Sequence, residues 1–439
     1  MKEYIAENFL YHIWDEQHLK DSINTESGEK LKILFQGKWN TDAGPDFVNS
    51  IILLNDTKLQ GDIEIHRHEY DWKAHNHHED SRYNNVILHV VFSNDQNAIS
   101  TISENGTHIP IFELQHNLDQ QIEKLWKRYG HKPFDTSQQK TIECLLINKI
   151  EDPNELHDIL TAFGKDRFQK KCKRFSAELY NSDFNQILFE GILEALGYGK
   201  NKMPFLKLAK LLPYQKLKSF MHEIHDLQDV FSILVYTSGL NLNKYNFNYI
   251  NEDLIKRYKK VCSLLKSSSF TQLQENDWNF FRCRPQNHPI NRLLQIAPFL
   301  FETLKQGTLI NPIIALFSYG DGQTVDARQV EQDFIKLINK DEHTSIGNGR
   351  SRDIFANIIL PISFVYAQTL TYDKLMNVIS HVYCMLPKLS EHYITSYIST
   401  LLQKGINFKI NLLMQQGMIQ LYYQFCSKHE CDNCIANLQ

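Results

Sequence analysis

The chain has 439 residues, 42% of them hydrophobic and 22% charged. That composition excludes a disordered chain and fits a globular protein with a real core. With 47 Lys and Arg against 51 Asp and Glu, the net charge is −4, which excludes a generally basic nucleic-acid coat and leaves only local patches for that role. No apolar run approaches the roughly 18 residues of a membrane span. The opening MKEYIAENFLYHIWDEQ carries acids where a signal peptide has a basic and then an apolar region. The expectation is a soluble, cytoplasmic protein without a membrane partner.

In chain order, residues 5–19 place apolar side chains at helical spacing. Residues 32–35 (KILF), 47–54 (FVNSIILL), 63–68 (IEIHRH) and 86–92 (VILHVVF) are short, β-branched or aromatic, and bounded by Gly, Asn and Asp, as strands are. Asn55-Asp56 to Gly61 reads as the turn between the second and third. Residues 71–84 have room for a short helix. The predicted order is helix, three strands, short helix, strand.

After about Leu118 the period changes. Apolar residues recur every three or four positions over 156–163, 187–196, 205–212, 254–265, 354–370 and 394–402. Turn signals fall at Gly197-Tyr198-Gly199, at 318–322 and at Gly347-Asn348-Gly349. The predicted fold class is α+β: a small mixed sheet with flanking helices over 1–118, a large α-helical domain over 119–425, and a Cys-rich tail over 426–439.

Eleven of the 19 histidines lie at or before His131, and three short pieces there carry chemistry. In Asp42-Ala43-Gly44-Pro45-Asp46-Phe47, Pro45 fixes its own φ and Gly44 permits an unusual one, so Asp46 opens a strand from a stiff turn. In Gly61-Asp62-Ile63-Glu64-Ile65-His66-Arg67-His68, alternate residues share a face. Glu64, His66 and His68 then point one way together with Asp62, and Ile63 and Ile65 the other. A solvated face would carry Lys, Thr, Ser and Gln; this one carries groups that bind metals. Residues 72–83 (WKAHNHHEDSRY) add His75, His77, His78, Glu79 and Asp80.

Carboxylates and imidazoles bind divalent ions and move protons near neutral pH. Two carboxylates on neighbouring strands can hold one Mg²⁺ or Mn²⁺, which makes a nucleophile of bound water and neutralises charge on a phosphodiester. Asp46 and Glu64 are the candidate ligands, His66 a base or third ligand, and His75 and His77 further ligands. Arg67 and His68 are candidates for substrate contact. His89, inside VILHVVF, is expected in the core. The competing expectation is a solvated sheet face, with Trp72 and Tyr83 in ordinary packing.

On these residues, Pro45-Asp46 followed by Glu64-Ile65-His66 within that element order, the chain resembles the PD-(D/E)xK nuclease core over roughly residues 1–95. In that family the Pro-Asp aspartate and the second acid bind the metal, and a lysine positions the attacking water. The resemblance implies that Asp46 and Glu64 are metal ligands. His66 stands where the family has its lysine; a neutral imidazole can serve as base or ligand but cannot reproduce a fixed ammonium. A second resemblance covers the whole chain. AGPDF, GDIEIH, YNNVILHVV, LGYGKNKMPF, RPQNHPINRL and the final CSKHECDNC look like a bacterial family catalogued as a domain of unknown function, which implies no activity.

Of the eight cysteines, five are scattered singly and read as buried thiols; Cys426, Cys431 and Cys434 form C-x4-C-x2-C with His429 inside. In a cytosolic chain such spacing points to a metal more than to a disulfide. These thiolates can wrap one Zn²⁺, with His429 or a distant cysteine as fourth ligand. The same spacing occurs in plant-type iron–sulfur proteins, with a fourth cysteine elsewhere. Either centre would pin the end of the last helix; unligated thiols on a frayed tail are the alternative.

Residues 165–174 (KDRFQKKCKR) offer a basic face for a phosphate backbone or simply a solvated helix side. In 281–292 two prolines stiffen a loop where Arg284 and Arg292 could clamp an anion or tie the loop down. Gly347-Asn348-Gly349-Arg350 lacks the Lys-Ser/Thr of a P-loop. There is no nucleophile elbow, zincin motif, kinase set or dinucleotide fingerprint. The leading expectation is a metal-dependent nuclease-like protein cleaving phosphodiesters of DNA or RNA. Two other classes fit: a noncatalytic scaffold binding nucleic acid or protein, and a zinc-dependent hydrolase of another substrate.

Overall fold

The computed structural model describes residues 5, 7–15, 17–40, 44–129, 144, 146–147, 150, 152–180, 182–197, 201–244, 251–267, 271–280, 283–318, 325–340, 345–403, 406, 408–426, 431 and 434. Asp42, Tyr198-Gly199, residues 319–322, Arg282 and His429 lie outside them. Contacts divide the chain into two units: residues 1–159 with 397–407 and 419–439, and residues 160–396 with 408–418. No helix among the described residues is long and apolar enough to cross a membrane.

The first unit opens with α1 (Glu7–Asp15) and a run of short strands, β1 (Ile23–Asn24), β2 (Lys30–Phe35) and β3 (Lys38–Trp39). The central hairpin follows as β4 (Phe47–Leu54) and β5 (Thr57–His68). After α2 (Asp71–Ala74) come β6 (Val86–Ser93), β7 (Ser100–Ile102), β8 (His108–Glu113) and α3 (Ile122–Tyr129). The strands pair in the order β1-β2-β4-β5-β6-β8-β7, with β3 beside β4. β4 and β5 are antiparallel, whereas β5–β6 and β6–β8 are parallel, so the sheet is mixed.

The four expected strands are present. β5 begins earlier than its alternation suggested, because Asn55 (φ 45°) and Asp56 (φ 67°) complete the turn in two residues. Two left-handed residues match the twist of a hairpin. Gly61 therefore sits inside β5 rather than in a turn, where a Cβ would strike Ile87 of the neighbouring strand and the Asn85 carbonyl just before it. The expected helix over 71–84 is α2 followed by two 3₁₀ turns, His77–Glu79 and Ser81–Tyr83. Left-handed Asn76 (φ 60°) breaks it.

Side-chain alternation builds the core. Ile63 and Ile65 of β5 join Phe9, Leu10, Ile13 and Trp14 of α1, with Phe47, Leu88 and Val90. Complete burial of each such side chain stabilises by about 1.5–3 kcal/mol. The alternate residues Glu64 and His66 turn the other way and are also buried. Trp72, Tyr83, Val86 and Ile109 form a small separate apolar cluster.

The second unit is helical. Its helices include Phe184–Leu196, capped by the Asp183 side chain, and Leu227–Thr237, opened by a reciprocal Asp226/Asp229 capping box. Pro289–Gln306 ends on left-handed Gly307. Such caps satisfy the N–H and C=O groups that a helix leaves unpaired at its ends. Leu188, Phe205, Phe231, Leu293, Phe334 and Ile379 belong to one continuous apolar core.

Candidate metal centre

Gly44, at φ 120°, and Pro45 lead the chain into β4 and set Asp46 at its mouth. The β4–β5 ladder then slips by one residue between the Phe47↔Ile63 and Ser50↔Gly61 pairs. Bulges of this kind re-aim side chains. Here Asn49 adopts φ 57°, and its N–H donates to Asp62 Oδ1 at 2.9 Å. Asn85 Nδ2 donates to the other Asp62 oxygen at 2.9 Å, which makes Asp62 a brace.

Beside the bulge Asp46 and Glu64 clasp each other through the backbone. The Asp46 N–H donates to Glu64 Oε2 (3.1 Å), and the Ile65 N–H donates to Asp46 Oδ2 (2.9 Å). The Tyr11 hydroxyl bonds the Asp46 carboxylate from α1. On the far side, Glu64 Oε1 lies 3.4 Å from His66 Nε2 and 3.1 Å from His77 Nε2. His75 Nδ1 lies 3.1 Å from His66 Nε2. His66, His75 and His77 each bring one ring nitrogen within 4.8 Å of the others. His66 and His77 are buried and His75 is exposed, so the cluster has one open side.

Aromatic rings fix the imidazoles. Tyr83 stacks on His77 at 3.8 Å between centroids, and Trp72 stands edge-on to His66 and His77. The Trp72 Nε1–H donates to the Ile102 carbonyl at 3.0 Å, which anchors that wall. His89 is fully buried, as its apolar strand predicts, and it also serves the cluster: its Nε2 lies 2.9 Å from His66 Nδ1. A histidine that binds metal through one nitrogen is oriented through the other.

Burial decides the protonation states. It raises the Asp46 carboxyl to about 8; Glu64 adds to the rise, while the Ile65 N–H and Tyr11 oppose it. Burial also raises Glu64 to about 8 against the Asp46 N–H. It holds His66 well below 6.5, helped by His89, His77 and His75, and takes His89 to about 3. His77 is lowered by burial, with Asp46 opposing. The buried imidazoles are thus neutral near pH 7, the state in which a ring nitrogen can bind a metal. The charges that act most on Asp46 and Glu64 are those of other carboxyls, Glu64 and Glu7.

The donor set fits a divalent cation. His77 Nε2 is buried and makes no hydrogen bond within the described residues, although Glu64 Oε1 is 3.1 Å away. A cation between these donors would satisfy both. Imidazole with carboxylate is a common ligand set for zinc and similar ions.

The expected residues Asp46, Glu64, His66, His75 and His77 therefore come together. His68 pairs with Asp95 at 3.0 Å and stacks on Tyr70, and Arg67 is exposed on β5. In the second unit Arg284 is exposed at a 3₁₀ turn. Arg292 is buried and donates to Gln295, the Ile346 carbonyl and Asn287 at 2.6–2.9 Å. Cys426, Cys431 and Cys434 line one cavity.

Glu7, Tyr11, Tyr83 and the service of His89 to the cluster are not evident from the sequence pattern. Glu7 and Tyr11 are four apart on α1, one turn on one face. Burial raises the Glu7 carboxyl, with nearby His75 opposing. A polar pair at that spacing on an otherwise apolar helix is the available signal.

No curated protein and no solved structure matches the chain. Residues 7–392 match one family model, and on that span the chain belongs to the family described as a protein of unknown function (DUF2851).

Proposed function

We propose that the cluster around Glu64 is the centre of a metal-dependent, nuclease-like phosphodiester hydrolase. The convergence of His66, His75 and His77 within 4.8 Å, with Glu64 beside them, carries this reading. The element order supports it: a helix, an antiparallel hairpin with Asp46 at its mouth and Glu64-Ile65-His66 on its second strand, then a crossover to a parallel strand. A divalent ion bound there supplies a hydroxide nucleophile near neutral pH and neutralises charge on a phosphoryl oxygen.

The protein's own groups do the positioning. His66 Nε2, His75 Nδ1, His77 Nε2 and Glu64 Oε1 are the inward donors. Asp46 steers Glu64 through its N–H, and His89 sets the His66 ring. Trp72 and Tyr83 exclude water from the inner side, and exposed His75 marks the side open to substrate. Three imidazoles favour Mn²⁺ or Zn²⁺ over Mg²⁺, which prefers oxygen ligands and keeps its waters.

The same donor set favours one second reading, a zinc hydrolase of a non-phosphate ester or amide. The test is to strip the protein of metal and reload it with Mg²⁺, Mn²⁺ or Zn²⁺. Each form is then assayed on single- and double-stranded DNA, RNA, and simple ester and amide substrates. Cleavage of nucleic acid with Mn²⁺ or Zn²⁺, lost in folded Asp46→Ala and Glu64→Ala, is the expected result. Zinc-dependent cleavage of only the esters or amides selects the second reading. Nucleic-acid binding without cleavage under any metal selects a noncatalytic scaffold.

A further inference from the structure

The three C-terminal cysteines have a fourth partner. Cys144, at the other end of the helical region in sequence, lines the same cavity of about 30 Å³ as Cys426, Cys431 and Cys434. The rest of the wall is apolar, including Leu146, Leu421 and Phe425. All four cysteines belong to the first unit. None of the chain's eight cysteines is in a disulfide.

We propose that Cys144, Cys426, Cys431 and Cys434 hold an iron–sulfur cluster. Four sulfurs around one small apolar cavity are a ligand set with little other use. A nucleophilic or redox cysteine needs electropositive surroundings to form its thiolate. Here the wall around the four sulfurs is apolar, and among the described residues no Lys, Arg or His lines it. Bound metal is what makes four such sulfurs compatible with one pocket, because it takes them as thiolates and cancels their repulsion.

Spacing selects the cluster over a single zinc ion. Zn–S bonds of about 2.3 Å define a tetrahedron with sulfurs about 3.8 Å apart. Within the described residues, the group of three or more metal-capable side chains with all donor atoms inside 4.8 Å is the histidine set. No three of these sulfurs share that spacing. A cluster spreads its four cysteines over two or four irons and fills the space between them. The C-x4-C-x2-C run with a distant fourth cysteine is also a known cluster-binding pattern. The assignment does not depend on the histidine centre, which uses different donors.

The test is full-length protein made in iron-replete cells and purified without oxygen. Iron and acid-labile sulfide are expected in equal amounts, about two or four of each per chain, with a visible absorption band that dithionite bleaches. Cys144→Ser should lose most of the iron and the band, and Cys384→Ser should keep both. One zinc per chain without sulfide, or no metal, overturns the proposal. If Cys144→Ser fails to fold, alkylation of the native protein decides. Cys144, Cys426, Cys431 and Cys434 should resist labelling until iron is chelated, and labelling of all four beforehand overturns the assignment.

Discussion

Both units bury ionisable side chains, and they treat them differently. In the helical unit, Arg174 lies between Glu178 at 3.0 Å and Glu194 at 2.6 Å. Burial works against its charge, yet Glu194 and Glu178 together raise it above the ordinary arginine value. Lys171 donates to Asn357 at 2.6 Å and to Gln416 at 2.8 Å, and Lys170 pairs with Asp166. Much of the basic run over 165–174 is thus used inside the unit. At the N-terminal cluster, by contrast, buried Glu64 and half-buried Asp46 sit among neutral imidazoles, and the charges that act most on the two carboxyls are those of other carboxyls. A closed set of charges holds a fold together; an open set of donors leaves room for the proposed cation.

Two substitutions, one in each unit, should have opposite effects. Glu64→Gln keeps an acceptor for the Asp46 N–H and removes the carboxylate. Metal-dependent activity should fall roughly 10³-fold. The melting temperature of the metal-free protein should stay level or rise, because an uncompensated buried carboxyl is costly. Arg174→Met should do the reverse. It leaves Glu178 and Glu194 buried without their partner, a loss of about 3–5 kcal/mol, while activity per folded molecule is retained. Equal destabilisation by the two, measured by calorimetry on metal-free protein, would erase the distinction.

A smaller effect tests whether His89 belongs to the cluster or only to the core. His89→Phe fills the volume and removes the 2.9 Å contact to His66 Nδ1. Losing such an orienting partner typically weakens metal binding by about 10–100-fold. Competition titration with Mn²⁺ or Zn²⁺ measures it. His68→Ala, which removes the pair with Asp95 instead, should leave the affinity within about threefold. Equal affinities for wild type and His89→Phe would return His89 to packing alone.

The hairpin and its donors are legible in the sequence because they are local. Alternation along 63–68 puts Glu64 and His66 on one face, and neutral packing could not use that pattern. His75 and His77 follow within one crossover. What periodicity does not carry is contact at long range. Glu7 and Tyr11 arrive from a helix whose apolar spacing announces only its core face. Cys144 is far in sequence from the three cysteines it meets. β1, β3 and β7 have two or three residues each, too short for alternation to register, and Pro110 disguises β8. The tight turn at Asn55-Asp56 is hidden because Gly61 looks like the better turn residue, although its lack of a side chain is needed inside the strand.

The smallest predicted effect compares the same chemical change in the two units. At the cluster, burial keeps imidazoles neutral and their lone pairs available to a ligand. In the helical unit, His288 is also lowered by burial, to about 4, but its Nδ1 accepts from the Ile290 N–H at 3.3 Å and caps the helix Pro289–Gln306. Its ring stacks on Phe280. In the unfolded chain the same group titrates near 6.5. Between about 6.5 and 4 the unfolded state therefore binds more protons, and stability falls as pH drops through that window. Protonation also removes the capping lone pair, which is worth about 1 kcal/mol. His288→Asn keeps a capping acceptor and does not titrate. Between pH 7 and pH 5 its melting temperature should fall by less than that of the wild type, and parallel pH profiles would show that the cap bears no part of the acid sensitivity.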